Sequence, residues 1–148
     1  MKNIAFIGIG LMGAPMAKNL LKSKYKLKVF NRTKKKALQL KKNGAVVCDS
    51  IKEAVFGQDV IITMLSDDKA VKRICKSAEF IKNIKKSSTV IDMSSTSPRT
   101  AQEISKLLKK NNINFLDAPV SGGTNGAENA ELAIMVGGEK KIFLKNLK

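Results

Sequence analysis

Three glycines near the start of the chain have the spacing of a phosphate-binding turn. The six residues Gly8, Ile9, Gly10, Leu11, Met12 and Gly13 fit the pattern G-x-G-x-x-G, and they follow a short apolar run at residues 4–7. In such a turn the first glycine permits a sharp bend, the second lets a diphosphate approach the backbone, and the third lets the next helix pack against the strand. Because the first amides of that helix have no partner within it, the segment predicts a dinucleotide site.

The same stretch also has the composition of a secretory signal peptide. Lys2 precedes fourteen uncharged residues, 4–17, which end in the sequence Ala-Pro-Met-Ala. A signal peptide needs an apolar helical region here, and glycines every two or three residues weaken such a helix. The glycines have a use in a strand followed by a tight turn, so we favour that interpretation.

The end of the predicted second strand carries residues that would distinguish between the two nicotinamide dinucleotides. An acidic residue about twenty positions after the glycines normally binds the adenine ribose hydroxyls. This chain has Asn31 there, followed by Arg32, Thr33 and three lysines at 34–36. An amide, a guanidinium and a hydroxyl can hydrogen-bond a 2′-phosphate, which an acid would repel. We therefore expect NADP(H) to be preferred over NAD(H); in the alternative, Thr33 merely caps a helix and the lysines are solvated.

Apolar strands and helices alternate along the rest of the chain. The strand segments are residues 4–7, 26–30, 45–47, 59–64, 89–92, 113–117 and 132–136, and the helical segments are 12–21, 33–42, 50–56, 67–75, 82–86, 97–110 and 139–147. A glycine-rich loop at 121–126 precedes the last strand. Strands joined by helices of this length imply right-handed crossovers and a parallel sheet. The expected fold class is therefore α/β, with a Rossmann-type, doubly wound, mostly parallel sheet in one domain, residues 1–148.

Three separated segments resemble the β-hydroxyacid dehydrogenases, a family that includes 3-hydroxyisobutyrate dehydrogenase and the tartronate, glyoxylate and succinic semialdehyde reductases. They are residues 8–20, residues 31–33 and residues 117–123, the last with the sequence Asp-Ala-Pro-Val-Ser-Gly-Gly. The resemblance implies that Met64, Leu65 and Ser66 lie beside the adenine ribose. It implies that residues 92–96 lie beside the nicotinamide, where Ser95 contacts the cofactor. It also implies that Ser121, Gly122 and Gly123 hold the carboxylate of a substrate.

The positions of these segments agree with that assignment. Met64, Asp92 and Asp117 all end predicted strands, and open α/β sheets bind ligands beyond those carboxyl ends. For the two aspartates we expect strand-end or capping roles and assign neither as an acid or base. One departure lies near the substrate loop, where Ala130-Glu131 replaces the Gly-Thr pair that family members commonly have.

The resemblance also implies an activity and a missing part. The family carries out NADP-dependent reduction of a small semialdehyde that bears a carboxylate, or oxidation of the corresponding β-hydroxyacid. Its catalytic lysine belongs to a second, all-helical domain, which the resemblance places beyond Lys148. We therefore assign no catalytic residue, and expect an NADP-binding domain that turns over little or nothing unless a separately encoded helical domain is supplied. The alternative is a non-catalytic nucleotide-binding module that acts through a partner chain or a polyanion.

Composition argues against several other classes of site. The 28 Lys and Arg against 12 Asp and Glu give a net charge of +16, but only three cations are arginine, and there is one Tyr and no Trp. Specific nucleic-acid binding favours arginine and aromatic side chains, so only weak adhesion to polyanions is expected. The lack of histidine removes Ser-His and Cys-His catalysis and the usual metal sites. Cys48 and Cys75 are expected to be buried in a reducing, cytoplasmic protein, and no apolar run reaches the ~18 residues of a membrane span.

Overall fold

The computed structural model describes residues 2–147, in which nine strands alternate with helices. The strands are β1 (Asn3–Ile7), β2 (Lys26–Phe30), β3 (Val46–Val47), β4 (Val60–Thr63), β5 (Thr89–Asp92), β6 (Asn114–Asp117), β7 (Val120–Ser121), β8 (Ala133–Ile134) and β9 (Gly137–Gly138). Seven of them form one sheet with the order β3-β2-β1-β4-β5-β6-β9, and β7 pairs with β8 outside it. The first six strands of that sheet run parallel, and β9 is antiparallel to β6. The expected α/β class and doubly wound, mostly parallel sheet are confirmed.

Helices lie on both faces of the sheet. They are α1 (Gly13–Lys22), α2 (Lys34–Leu38), α3 (Ile51–Val55), α4 (Asp68–Cys75), α5 (Ala78–Asn83), α6 (Pro98–Lys110), α7 (Gly123–Asn129) and α8 (Lys140–Asn146). Side chains alternate along β1, so Phe6 packs in one core with Met16 of α1, whereas Ile7 packs in the other with Ile104 and Leu108 of α6. A central strand covered on both faces is apolar throughout, which is why residues 4–7 predicted it correctly.

No helix within residues 2–147 combines the length and the apolar character needed to cross a lipid bilayer. Cys48 and Cys75 are both buried and both free, as expected from the sequence.

The segment predicted as a loop at residues 121–126 is in part helical, and this prediction was wrong. α7 has the sequence Gly-Thr-Asn-Gly-Ala-Glu-Asn, whose glycines and asparagines have low helix propensity. Its stabilisation is tertiary: Ala127 is buried in the core on the α1 side, and the Nδ2 of Asn19 donates to the Ala127 carbonyl oxygen over 2.7 Å. A contact between residues 108 positions apart leaves no local signal in the sequence.

The strand predicted at residues 132–136 is present but shorter, and it does not join the main sheet. Ala133–Ile134 pairs with β7 in a separate hairpin, and the chain then re-enters the main sheet as the two glycines of β9. A pair of glycines has no side chains to show strand periodicity, so the pairing is visible only once β6 lies beside it.

Two helix predictions differ in length or position. The helix predicted at 33–42 ends at Leu38, because the Leu40 amide bonds back to Ala37 over 3.0 Å in a tighter turn. Thr33 occupies the N-cap position but its side chain makes no capping hydrogen bond. α5 begins at Ala78, not at residue 82, since the Ser77 hydroxyl accepts from the amide of the buried Phe80 over 3.1 Å.

Candidate functional site

The turn after β1 requires glycine at two of its three glycine positions. Gly8 has a φ of +102°, and a Cβ added to it would lie 2.1 Å from the carbonyl oxygen of Met64. A Cβ on Gly13 would lie 1.9 Å from the carbonyl oxygen of Gly8. Gly10 differs, because an added Cβ would meet nothing within 4 Å. The first and third glycines therefore allow close backbone packing, and the second leaves open space where a ligand can approach the main chain.

The amides of the turn divide into two groups. The Gly8 amide donates to the Phe30 carbonyl oxygen over 3.0 Å, and the Ile9 amide donates to Asn31 Oδ1 over 2.8 Å. Within residues 2–147, the amides of Gly10, Leu11 and Met12 have no acceptor. They precede the ten-residue helix α1, which has no acidic residue in its first turn and Lys22 in its last. Three unpaired amides at the positive end of a helix dipole can bind an anion such as a diphosphate.

The residues after β2 fall into an internal and an exposed part. Asn31 accepts from the Ile9 amide and donates through Nδ2 to the Thr33 carbonyl oxygen over 3.0 Å. Its amide group therefore holds the glycine turn against the end of β2. Arg32 and Thr33 are exposed, and they are the side chains of this segment that can reach a ligand.

A cavity of about 700 Å³ lies along the turn. Its lining includes Ile9, Gly10 and Leu11 of the turn together with Lys18, Lys36 and Lys42. Of the basic run at 34–36, Lys34 pairs with Asp49. Lys36 is therefore a candidate binding residue. In the sequence it was one of the three lysines at 34–36, and only its position on the folded helix distinguishes it from the other two.

The loops after β4 and β5 are joined by hydrogen bonds. Met64 and Leu65 are half-buried and Ser66 is exposed, and the Leu65 amide donates to Ser94 Oγ over 2.9 Å. Ser95 is exposed, whereas its neighbour Ser94 is fully buried. Ser95 is thus accessible to a ligand, and Ser94 connects the two loops.

Asp92, at the end of β5, lies beneath both loops. Its Oδ1 accepts from Thr63 Oγ1 over 2.8 Å and from Ser94 Oγ over 2.6 Å. Burial raises the pKa of Asp92, and the hydrogen bonds from Ser94 and Thr63 offset part of that effect. Burial, together with the charge of Asp92, likewise raises the pKa of Asp117, its neighbour across the β5–β6 register. The resemblance placed Ser94 in the segment beside the nicotinamide, but it did not indicate Thr63 or the hydrogen bonds that both residues make to Asp92, because these depend on strand register.

The segment after β6 is open to solvent. Ser121, Gly122 and Gly123 are all exposed, and the φ angles of the two glycines are +136° and +61°. β6 lies next to β5 in the sheet, so this segment begins at the strand end beside the one that leads to Ser95. The strand order places the ends of β2, β1, β4, β5 and β6 side by side, and every predicted site residue follows one of those ends.

These features together define a class of protein: a Rossmann-type domain that binds a nicotinamide dinucleotide. The profile of one family, described as the NAD binding domain of 6-phosphogluconate dehydrogenase, matches residues 3–147. The chain belongs to that family.

Known relatives are 3-hydroxyisobutyrate dehydrogenases and related oxidoreductases, as the resemblance implied. The chain is 40% identical over 146 residues to the NAD-dependent L-serine dehydrogenase of Pseudomonas aeruginosa, with 98% of this chain and 49% of that protein covered. The 3-hydroxyisobutyrate dehydrogenase of Mycobacterium tuberculosis, solved with L-serine, superposes with a TM-score of 0.94 at 36% identity, over 98% of this chain and 49% of the other. The imine reductase of Myxococcus stipitatus, solved with NADP+, superposes with a TM-score of 0.90 at 27% identity, over 98% and 50%. The chain spans about half the length of the curated relatives that it matches, corresponding to their N-terminal half.

Proposed function

We propose that this chain binds NADP(H) in preference to NAD(H), as the cofactor domain of an oxidoreductase. The observation that carries the proposal is the set of unpaired amides at Gly10, Leu11 and Met12, at the start of α1. Amides in this position bind the diphosphate that both dinucleotides share. The dinucleotide, when bound, supplies or accepts the hydride, and the role of this chain is to hold and orient it.

The preference for NADP(H) rests on the charge at the end of β2. Arg32 and Thr33 are exposed there, Lys36 lines the cavity along the turn, and residues 31–36 contain no acid. A guanidinium makes charge-assisted hydrogen bonds to a phosphate, whereas an acid at this position would bind the two ribose hydroxyls of NAD(H). The L-serine dehydrogenase relative is NAD-dependent, whereas the imine reductase neighbour holds NADP+. The proposed preference of this chain therefore rests on its own residues.

The first test is the variant R32A, with NADPH and NADH titrated in parallel by fluorescence. Loss of a charge-assisted hydrogen bond costs about 1.5–3 kcal/mol, so the Kd for NADPH should rise by roughly ten-fold or more, while the Kd for NADH changes by less than about two-fold. R73A removes the same charge from the exposed surface of α4 and should leave both values within about two-fold.

Equal losses of NADPH and NADH affinity in R32A would contradict the proposed preference. If R73A raised the Kd for NADPH as much as R32A does, the preference for NADPH would follow from the total charge of the chain and not from the residues at the end of β2.

We also propose a substrate class, small β-hydroxyacids and the semialdehydes that correspond to them. Ser121 offers an exposed hydroxyl, and Gly122 and Gly123 offer backbone without side chains, in the segment that begins at the strand end beside the one that leads to Ser95. Such a segment can bind a carboxylate through a hydroxyl and main-chain amides. The relatives named for 3-hydroxyisobutyrate and L-serine act on small acids with a hydroxyl at the β position.

A complete enzyme needs a second polypeptide segment equivalent to the C-terminal half of the relatives, on the same chain or a separate one. Carbonyl reduction requires a group that protonates the developing alkoxide, and we place that group, a lysine in the resemblance, on the second segment. An apolar groove of about 620 Å³ on the α1 face of the sheet supports this. It is lined by Ile91 and Leu116 of the sheet, Leu20 of α1, Phe143 of α8 and Leu147, which directly follows α8 and is the last described residue.

The test is an assay of semialdehyde reduction with and without the C-terminal half of a relative. We expect little or no turnover by the chain alone and measurable turnover with the added half. Substantial activity of the chain alone would contradict the proposal. NADPH binding with no activity in either case would favour the non-catalytic module, to which the net charge of +16 gives independent support.

A cytoplasmic location is part of the same proposal. Both cysteines are free and buried, a state that a reducing compartment maintains.

A further inference from the structure

We propose that Asp92 is a positioning residue of the dinucleotide site, whose carboxyl group sets the placement of the loop after β4 relative to the loop after β5. This inference rests on the proposed function, because the two loops are those expected to contact the two ends of the cofactor. It goes beyond that function in assigning a role to a residue that is fully buried and touches no ligand.

The geometry is a three-part connection through one oxygen atom. Asp92 Oδ1 accepts from Thr63 Oγ1 over 2.8 Å, and Thr63 is the register partner of Asp92 at the end of β4. The same oxygen accepts from Ser94 Oγ over 2.6 Å and from the Ser94 amide over 3.2 Å. Ser94 Oγ in turn accepts from the Leu65 amide over 2.9 Å. The carboxyl group thus fixes Ser94, and Ser94 holds Leu65.

The connection lies next to ligand-facing residues on both sides. Leu65 is flanked by Met64 and Ser66 in the loop after β4, and Ser94 is followed by the exposed Ser95 in the loop after β5. A dinucleotide that contacts both loops binds well only when they are held at a fixed separation. A small displacement of Ser94 would move both contact surfaces at once.

The local cost of this arrangement argues against a purely structural role. The second oxygen, Oδ2, is buried and has no hydrogen-bond partner within residues 2–147. The charge of Asp68 on α4 adds to the burial that raises the pKa of Asp92. Burial and, after it, the charge of Asp92 raise the pKa of Asp117 on β6 and of the Cys75 thiol on α4. A buried carboxyl with an unpaired oxygen and acidic neighbours is costly for stability, and such groups concentrate at functional sites.

The test compares the variants D92A, D92N and S94A with S88A as a matched control. Ser88 is also buried and donates to the Gln58 carbonyl oxygen over 2.8 Å, but it lies just before β5, at the opposite edge of the sheet. S88A therefore removes one buried hydrogen bond without touching the two loops. Two quantities are measured: hydrogen exchange at the Leu65 amide without cofactor, and the Kd for NADPH.

We expect D92A and S94A each to reduce Leu65 protection and to raise the Kd for NADPH by about ten-fold, the equivalent of one lost buried hydrogen bond. The double variant should be within about two-fold of either single variant, because the two residues act as one unit. D92N keeps an acceptor at Oδ1 and should restore most of the protection and affinity. S88A should lower the Tm. It should leave Leu65 protection and the Kd for NADPH within about two-fold of the wild-type values.

Three results would overturn the proposal: unchanged Leu65 protection in S94A, additive effects in the double variant, or a loss of NADPH affinity in S88A equal to that in D92A. If D92A does not fold, S94A and D92N decide the question. If the wild-type chain does not bind NADPH, the proposed function fails, and Leu65 exchange still decides whether Asp92 sets the loop.

Discussion

Gly8 and Gly13 determine how closely β1, α1 and the loop after β4 can approach one another. A Cβ added to Gly8 would lie 2.1 Å from the carbonyl oxygen of Met64, and one added to Gly13 would lie 1.9 Å from the carbonyl oxygen of Gly8. Neither distance can accommodate a Cβ. The backbone around the anion site is therefore fixed by the absence of two side chains. Gly10 borders open space instead, so its requirement comes from the ligand.

The substitution G8A tests the steric part of this account, with G44A as its control. Both glycines have a left-handed φ, +102° for Gly8 and +98° for Gly44, but nothing lies within 4 Å of an added Cβ at Gly44. G44A should cost about 1–2 kcal/mol of unfolding free energy from backbone strain alone. G8A should cost at least ~2 kcal/mol more, since the Met64 backbone must move. Denaturant unfolding measures both, and equal costs would contradict the close approach.

Ion pairs at the surface join α6 to α4 and to the residue that follows α4. Glu103 of α6 pairs with Lys72 over 3.0 Å and with Lys76, which follows α4, over 2.6 Å. The hydrogen bonds from Lys76 and Lys72 lower the pKa of Glu103 from 4.5 to about 2. A carboxyl group with a depressed folded-state pKa stabilises the fold above its unfolded-state value. That contribution disappears as the pH falls from about 4.5 through about 2.

The variant E103Q tests this contribution through the pH dependence of the Tm. We expect a lower Tm than wild type at neutral pH, and a difference that narrows as the pH falls below 4.5 toward 2, because the wild type then loses the same pairs. E131Q alters a carboxylate that has no ion pair or side-chain hydrogen bond within residues 2–147. The Tm of E131Q should therefore equal that of the wild type at each pH. A difference in Tm between E103Q and wild type that stays constant at all pH values would contradict a stabilising role for the Glu103 ion pairs.

Some strands and helices could be predicted from the sequence and others could not. β1, β4, β5 and α6 carry the periodic apolar residues of their class, so their existence followed from pattern alone. α7 and β9 consist largely of glycine and polar residues, and they form because of α1 and β6, which are distant in sequence.

Part of the candidate site could be predicted from the sequence, and part could not. The glycine turn and the strand-end loops were predictable because ligands bind where parallel strands end. The internal role of Asn31 and the Thr63–Asp92–Ser94 connection were not, because they depend on which atoms the folded sheet brings within hydrogen-bond distance.

The two faces of the sheet are covered unequally. α3, α4, α5 and α6 contribute to one core, whereas the other face retains an apolar groove next to α8. Ile134 and Leu147 line that groove and are more than half exposed. Exposed apolar surface is typical of interaction sites, which agrees with the proposal that a segment equivalent to the second half of the relatives packs here.

The central claim is that a dinucleotide diphosphate binds the amides of the turn after β1. Amide-resolved NMR during titration with NADP+ tests it most directly. The account predicts saturable shifts that are largest at Gly10, Leu11 and Met12, with no comparable change at Gly44 or Gly57, which lie in turns away from the carboxyl edge of the sheet. Unshifted amides at residues 10–12 with NADP+ well above micromolar concentration, or saturable shifts confined to other surfaces, would contradict it.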